Sequence, residues 1–424
     1  MKLTKIIRNT TCVFACCCLF FTNTDAQNQQ GWRGPNRDGI YPDTGLLTKW
    51  AETGPKQLWE TLDVGKGYSS PVIVDDYLYI TGMNEAEDKE IFSAYTLDGN
   101  KEYTIEYGSP WNKSFPETRT TPTIVGNKAY VISGMGEVVC INIKKGEIIW
   151  KVDGAALFGA KMGTWGVSES PLVINDKVIF TAGGEKSSMV ALNAKNGETI
   201  WKSKGLGDIR NYASPLLIEH NGIQQIIGIT GNSVIGVNPD NGDILWTYSD
   251  WGHEAVKRGW EKIAPNTPLY KDGKIFVCNG YNLNSIMLQL SENADTVSVL
   301  WKNDILDTHH GGFVLVDNTI YGSNWLNNAK GNWVAVDWET GETKYETAWE
   351  GKGKGSIISA DHMLYCYDEK KGYVGLAPAT PDTFKVVSEF NITKGEGPFW
   401  AHPVIHNGVL YVRHGNALMA YDIK

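Results

Sequence analysis

Three short runs, KKGEIIW (144–150), KNGETIW (195–201) and DNGDILW (240–246), decide how this chain is read. In each, a Gly stands four residues before a Trp, and an Asn stands four residues before that Gly: Asn142, Asn193 and Asn238. A weaker copy, Asp337-Trp338-Glu339-Thr340-Gly341, has Tyr345 in the Trp place. The chemistry is that of a hairpin turn. The Asx side chain caps the backbone that follows it, and Gly takes a left-handed conformation that a side chain would penalise.

Around these turns a second unit recurs. SSPVIVDDYLYITG (69–82), TTPTIVGNKAYVISG (120–134), ESPLVINDKVIFTAG (169–183), NTPLYKDGKIFVCNG (266–280) and AHPVIHNGVLYVRHG (401–415) share one pattern. Each is an apolar strand after Pro, a polar turn and a second alternating strand. Pro suits the first position because no ladder hydrogen bond is lost there. ASPLLI adds Pro215, while GGFVLVDNTIYG (311–322) and GSIISADHMLYC (355–366) keep the pattern without Pro. From Pro71 to Pro403 is 332 residues over seven intervals, about 47 per unit. Four short strands fit that length, which is the blade of a β-propeller. The last unit ends at Lys424 after three strands, and KQLWET (56–61) places Trp59 in the repeated Trp position. The expectation is therefore an all-β fold: a single eight-bladed propeller of four-stranded antiparallel blades. An N-terminal strand pairing with the C-terminal blade closes the ring.

Composition agrees. The 424 residues are 42% hydrophobic and 21% charged, with 46 Gly and 16 Trp, as a turn-rich β protein with aromatic packing would be. Lys2, Lys5 and Arg8 precede an apolar run from Cys12 to Phe21, followed by Thr24-Asp25-Ala26. This reads as a Sec-type signal peptide over 1–26, cleaved after Ala26, with the propeller domain over 27–424 and a periplasmic or secreted destination. Lipoprotein anchoring at Cys16 is the alternative. The ten-residue core is too short to span a bilayer, and no later stretch reaches the length of a transmembrane segment. Removing 1–26 takes the formal charge from −9 to −11, which excludes general nucleic-acid binding. Cys140, Cys278 and Cys366 fall in apolar runs of three different units and read as small core residues.

The turn after N/D-x-x-x-G followed by G-E-x-x-W resembles the repeat of the quinoprotein propellers. That group includes pyrroloquinoline quinone (PQQ)-dependent alcohol dehydrogenases and outer-membrane assembly propellers of the BamB type. The chain is more similar to secreted PQQ-like β-propeller repeat proteins, through WRGPNRDG (32–39), WGVSESPL (165–172), THHGG (308–312), GKGSIISADHMLY (353–365) and YVRHGNALMAYD (411–422). The dehydrogenases of the group stack PQQ on a Trp, pair it with basic groups, bind calcium through protein oxygens and cover it with a disulfide between adjacent cysteines. Here Cys17-Cys18 lies in the signal, and no adjacent pair follows.

In a propeller of this connectivity, the segments before each innermost strand crowd around one end of the channel. They contribute Tyr68, Arg119, Trp165, Glu169, Arg210, Tyr212, Lys262, Asn266, His309, His310, Lys354, Trp400 and His402. Four fixed cations, three histidines and four aromatics on an acidic body suit an anionic or carbohydrate-like ligand. Adjacent histidines on a strand would point to opposite sides, so a metal site at His309-His310 would need His402 from another blade, and none is assigned. Trp32 belongs to a strap over the ring. Three readings follow: a binding or scaffold propeller with its mouth as the site; a PQQ- or metal-dependent oxidoreductase acting on alcohols or sugars, with calcium beside the quinone; and a BamB-like assembly partner of an envelope protein.

Overall fold

A computed structural model describes residues 29–250 and 263–424. Residues 1–26, expected to form a signal peptide, and Lys262 lie outside the described residues. Eight sheets follow one another along the chain, each built on four antiparallel strands. Their inner strands are Val72–Val74, Thr123–Val125, Leu172–Ile174, Leu216–His220, Leu269–Lys271, Phe313–Val316, Gly355–Ala360 and Val404–His406, numbered here as blades 1 to 8. In six blades the inner strand begins on the residue after Pro, as the missing N–H requires. Lys56–Thr61 supplies the outer strand of blade 8, with Gln57 opposite Tyr421 and Trp59 opposite Ala420. The ring is closed as the sequence predicts.

The repeated Gly and Trp belong to one contact between neighbouring blades. Trp150 of blade 2 lies over Gly197 of blade 3, Trp201 over Gly242 of blade 4, Trp301 over Gly341 of blade 6, and Trp59 over Gly99 of blade 1. A Cβ on any of these glycines would come within 3.0 Å of the indole, so the left-handed turn and the flat docking surface require the same residue. The indole N–H donates to a backbone oxygen of the turn it covers: Trp59 to Leu97, Trp150 to Ala194, Trp201 to Pro239 and Trp301 to Trp338. Tyr103 replaces Trp between blades 1 and 2, covering Gly146 and donating to the Ile143 oxygen at 2.6 Å. A register shift beside each of these Trp positions twists the outer strand toward its neighbour. The cores lie between blades; Ile132, Val138 and Cys140 of blade 2, for example, pack on Val178, Phe180 and Val190 of blade 3. The three described cysteines are free and buried in these layers.

The N-terminal segment does more than strap the ring. Gln29–Gln30 pairs antiparallel with the inner strand of blade 2, and Ile40–Tyr41 pairs parallel with the inner strand of blade 7. The chain thus rises inside the ring, turns beneath one mouth and descends, before leaving toward the closing strand. Arg33 and Arg37, both buried and both at positive φ, are the spokes of this turn. Arg33 donates to the carbonyls of Ile357, Asp38 and Phe313. Arg37 donates to the carbonyls of Ser170, Pro171 and Pro215 and to the Thr123 hydroxyl. Two side chains therefore tie blades 2, 3 and 4 to blades 6 and 7 across the axis.

Candidate functional site

Two sets of turns open on the mouth above this plug: those entering each inner strand, and those joining the second strand of each blade to the third. The entering segments carry the residues chosen from sequence, and the structure brings most of them together. A chain of ring contacts runs around the mouth. Tyr212 meets Trp165 at 5.6 Å between centroids, Trp165 lies parallel to Tyr281 at 6.5 Å, and Tyr281 meets His309 at 4.6 Å. His309 is 4.3 Å from His310, which is 5.1 Å from Trp400. Trp400 in turn touches Tyr68 at 4.9 Å and the half-exposed Phe115 at 5.0 Å. Beneath this arc the Trp32 ring rests against His402 at 4.6 Å, and its N–H donates to the Thr267 hydroxyl. The site is a bowl with an aromatic wall and a floor made by the plug.

Among the described residues, the mouth cations Arg119, Arg210 and Lys354 are engaged within the protein and do not stand as free charges converging on an open funnel. Arg210 and Glu169, both fully buried, form an ion pair at 2.9 Å below the bowl. Lys354 is buried and paired with Glu369. Arg119 lies 6.0 Å from the Tyr68 ring centroid and donates to the carbonyls of Ser114, Phe115 and Glu117. It thereby holds the loop that presents Phe115. Among the described residues the cations of the mouth are thus already engaged from within the protein.

The His309-His310 reading also changes. These residues lie in a bend, not on a strand, so alternation does not separate them and both rings face the mouth. Asn266 holds the bend by donating to the Thr308 and His309 carbonyls and accepting from the Gly312 N–H. Gly312 has φ 72°, and a Cβ there would meet the Arg33 guanidinium at 2.3 Å. His402 is committed elsewhere: its Nδ1 accepts from Arg33 at 2.8 Å, so its Nε2–H donates to the His310 carbonyl at 2.9 Å. Burial and the Arg33 charge hold His402 neutral, its pKa well below the usual histidine value.

Tyr281, Trp325, Glu369 and Phe115 were missed by sequence reasoning. The first three sit in the second-to-third strand turns of blades 5, 6 and 7, which open on the same face as the segments that were read. Asp307 links two of those turns by accepting from the N–H groups of Asn282 and Trp325, and burial pushes its carboxyl up to about 7. Glu90, the first residue of the third strand of blade 1, accepts from the Tyr107 hydroxyl and the Gly134 N–H, and burial also pushes it up to about 7. A raised folded value means that the native state holds this proton between about pH 4.5 and 7 while the unfolded chain does not. Stability contributed by Glu90 is therefore complete below about 4.5 and lost as pH rises through 7. Glu90→Gln keeps the bond from the Gly134 N–H on its amide oxygen, turns its NH2 to donate to the Tyr107 oxygen as the protonated carboxyl can, and removes the charge. It is expected to match wild type at pH 4.5 and exceed it by about 2 kcal/mol at pH 8, read from urea unfolding at both pH values. An equal difference at the two pH values would contradict this.

Among curated relatives, the chain is 21% identical over 291 residues to an uncharacterized protein of Rickettsia conorii, covering 66% of this chain and 62% of that one. It is 23% identical over 203 residues to the outer membrane protein assembly factor BamB of Yersinia pestis, covering 46% of each. A match to the tetrathionate hydrolase of Acidithiobacillus ferrooxidans is 26% identical and covers 50% of this chain and 33% of that one. The matches thus span less than two thirds of these relatives' lengths. Among solved structures, BamB from Moraxella catarrhalis aligns with a TM-score of 0.62 at 14% identity, covering 87% of this chain and 99% of that one. The quinohemoprotein alcohol dehydrogenase of Comamonas testosteroni aligns with a TM-score of 0.67 at 12% identity, covering 94% and 80%. These likenesses establish the fold.

The described residues offer bound PQQ with calcium few free partners. A planar tricarboxylate needs unpaired cations and room at the axis. Among the described residues, Arg210 and Lys354 have carboxylate partners, Arg33 and Arg37 fill the axis and donate to carbonyls, and the cysteines lie in separate blades. The repeat itself carries the kinship. A family model described as outer membrane protein assembly factor BamB matches residues 39–151 and 108–330, and with the eight blades in place the chain belongs to that family of PQQ-like propellers.

Proposed function

We propose that this protein is an exported propeller that serves as a binding module, with the aromatic bowl as its site and a carbohydrate-like ligand as its occupant. The observation that carries this reading is the continuous arc from Trp165 through Tyr281, His309, His310 and Trp400 to Tyr68 over a closed floor. Flat aromatic faces accept the C–H-rich faces of sugars, and neighbouring imidazoles offer hydrogen bonds to hydroxyls. Because the cations are paired internally, stacking should dominate over charge, and neutral oligosaccharides should bind as well as uronates or sulfated sugars. Export rests on the basic residues and apolar run of the N-terminus and on the family. No helix among the described residues is long and apolar enough to cross a membrane.

The test is calorimetric titration of the full chain with neutral and anionic oligosaccharides, beside Trp400→Ala. Trp400 is partly exposed, so its loss should leave folding intact and weaken binding by at least about tenfold, on the scale of a lost aromatic stacking contact. Absence of binding to any member of the panel would overturn the reading. A second reading, docking of an envelope protein partner, is favoured by the family match. It predicts that Trp400→Ala abolishes capture of a defined envelope protein while no sugar competes.

A further inference from the structure

His309, His310 and Glu369 form the cluster among the described residues in which three metal-ligating side chains meet, with one ligand atom of each lying within 4.8 Å of the others. Each member is oriented from outside. The Tyr281 hydroxyl lies 2.7 Å from His309 Nε2, and His309 Nδ1 is buried with no hydrogen-bond partner. Lys354 engages one carboxylate oxygen of Glu369, while the other lies 3.5 Å from His310 Nε2. The bend carrying both histidines is fixed by Asn266 and by His402 against the His310 carbonyl.

We propose that His309 Nδ1, His310 Nε2 and the free oxygen of Glu369 bind one divalent transition-metal ion of the zinc type, leaving a further position open to the bowl beside Trp400. Two imidazoles and one carboxylate make a donor set suited to zinc and its neighbours. Three protein ligands with an open fourth position are the arrangement of reactive rather than structural zinc sites. Calcium, which takes six to eight oxygens, is not served by this set. Lys354 already neutralises Glu369, so the pocket has little net negative charge to attract a hard cation, and selection falls to the nitrogen donors. Bonds of about 2.0–2.1 Å put tetrahedral ligand atoms roughly 3.3–3.5 Å apart; His310 Nε2 and the Glu369 oxygen already stand at 3.5 Å, so His309 is the ligand that must draw nearer on binding. Tyr281 has the place of the outer partner that orients a ligating imidazole through its second nitrogen.

This site stands independently of the carbohydrate reading, and either can fail alone. The full-length protein, stripped with chelator, is titrated with Co²⁺ and followed by visible absorption, with Zn²⁺ as competitor and Ca²⁺ as control. The expected result is saturable one-site binding displaced by Zn²⁺ but not by Ca²⁺. Tyr281→Phe should weaken it about 10–100-fold, and His310→Ala by more than about 100-fold. Circular dichroism of both metal-free variants should match wild type. Electron paramagnetic resonance of Cu²⁺-loaded wild type needs no variant, and two coupled imidazole nitrogens are expected. No absorption with Co²⁺, undiminished affinity in His310→Ala, or a copper spectrum without two nitrogens would overturn the site. Unchanged affinity in Tyr281→Phe would overturn ligation through His309 Nδ1.

Discussion

Deletion of residues 27–62 is expected to abolish the monomeric, cooperatively folding protein. The segment supplies the outer strand of blade 8, so its loss leaves the third strand, Ala417–Asp422, as an unpaired edge. It also removes Trp59, which covers Gly99 and donates to the Leu97 carbonyl across the junction between blades 8 and 1. The channel plug leaves with it, so the carbonyls of Ser170, Pro171, Pro215, Phe313 and Ile357 lose their guanidinium donors. An exposed edge of this kind recruits another chain, so the deleted protein should be recovered as oligomers or aggregate. Trp59→Ala isolates one part of the loss. Removing a packed indole costs about 3–5 kcal/mol in a core, and somewhat less is expected here because Trp59 is only partly buried. Size-exclusion chromatography with thermal unfolding reads both variants. A monomeric deletion variant that unfolds in a single transition at the wild-type temperature would contradict closure by this strand.

Replacement of Arg413 by Met is the point substitution with the largest expected effect. Arg413 is completely buried in the second strand of blade 8, and burial pushes its guanidinium down to about 9. It donates to the carbonyls of Gly415, Ser69, Thr81 and Gly65 and to the Ser69 hydroxyl, and three of these residues belong to blade 1 or its entry. Among the described residues no carboxylate pairs with it, so the charge is answered by backbone carbonyls and the Ser69 hydroxyl. Met fills the space of the stem but takes the donor from the carbonyls of Gly415, Ser69 and Gly65, while Thr81 keeps the bond from the Ser69 hydroxyl, at roughly 1–3 kcal/mol for each orphaned oxygen that water cannot reach. Loss of the charge itself relieves desolvation, which offsets part of this. The net expectation is a loss of about 3–5 kcal/mol in urea unfolding, with Arg413→Lys recovering only a fraction because one ammonium cannot reach acceptors on both sides of the fork. A loss below about 1 kcal/mol would show that the closure does not depend on this side chain. Since Arg413 and Trp59 serve the same junction, the double variant should be less destabilised than the two losses added together.

The mouth illustrates where reading from sequence stops short. Tyr68, Arg119, Trp165, Tyr212, Asn266, His309, His310, Lys354, Trp400 and His402 were identified because each immediately precedes an inner strand, and strand order alone brings such positions to one end. Tyr281 and Glu369 escaped the same reasoning because the turns that carry them have no repeated signature, although topology sends them to the same face. The charge state of the site was misread for a different reason. Arg210 and Lys354 look like free cations in a list of entry residues, whereas Glu169 and Glu369 neutralise them from 41 and 15 residues away.

What the sequence determined by itself is everything repeated. A left-handed Gly, an Asx cap, a Pro ahead of six of the inner strands and a Trp four residues past the Gly are local requirements, and they recur at a period that fits four-stranded blades. Ring closure was also legible, because a missing fourth strand in the last unit and a spare Trp-bearing strand near the start complement each other. The interior of the ring was decided only by tertiary structure. Arg33 meets His402 across 369 residues and Arg37 meets Pro215 across 178, and no periodicity marks either pairing. Such contacts depend on where the backbone carbonyls of four different blades point once the ring has closed, and that geometry exists only in the folded molecule.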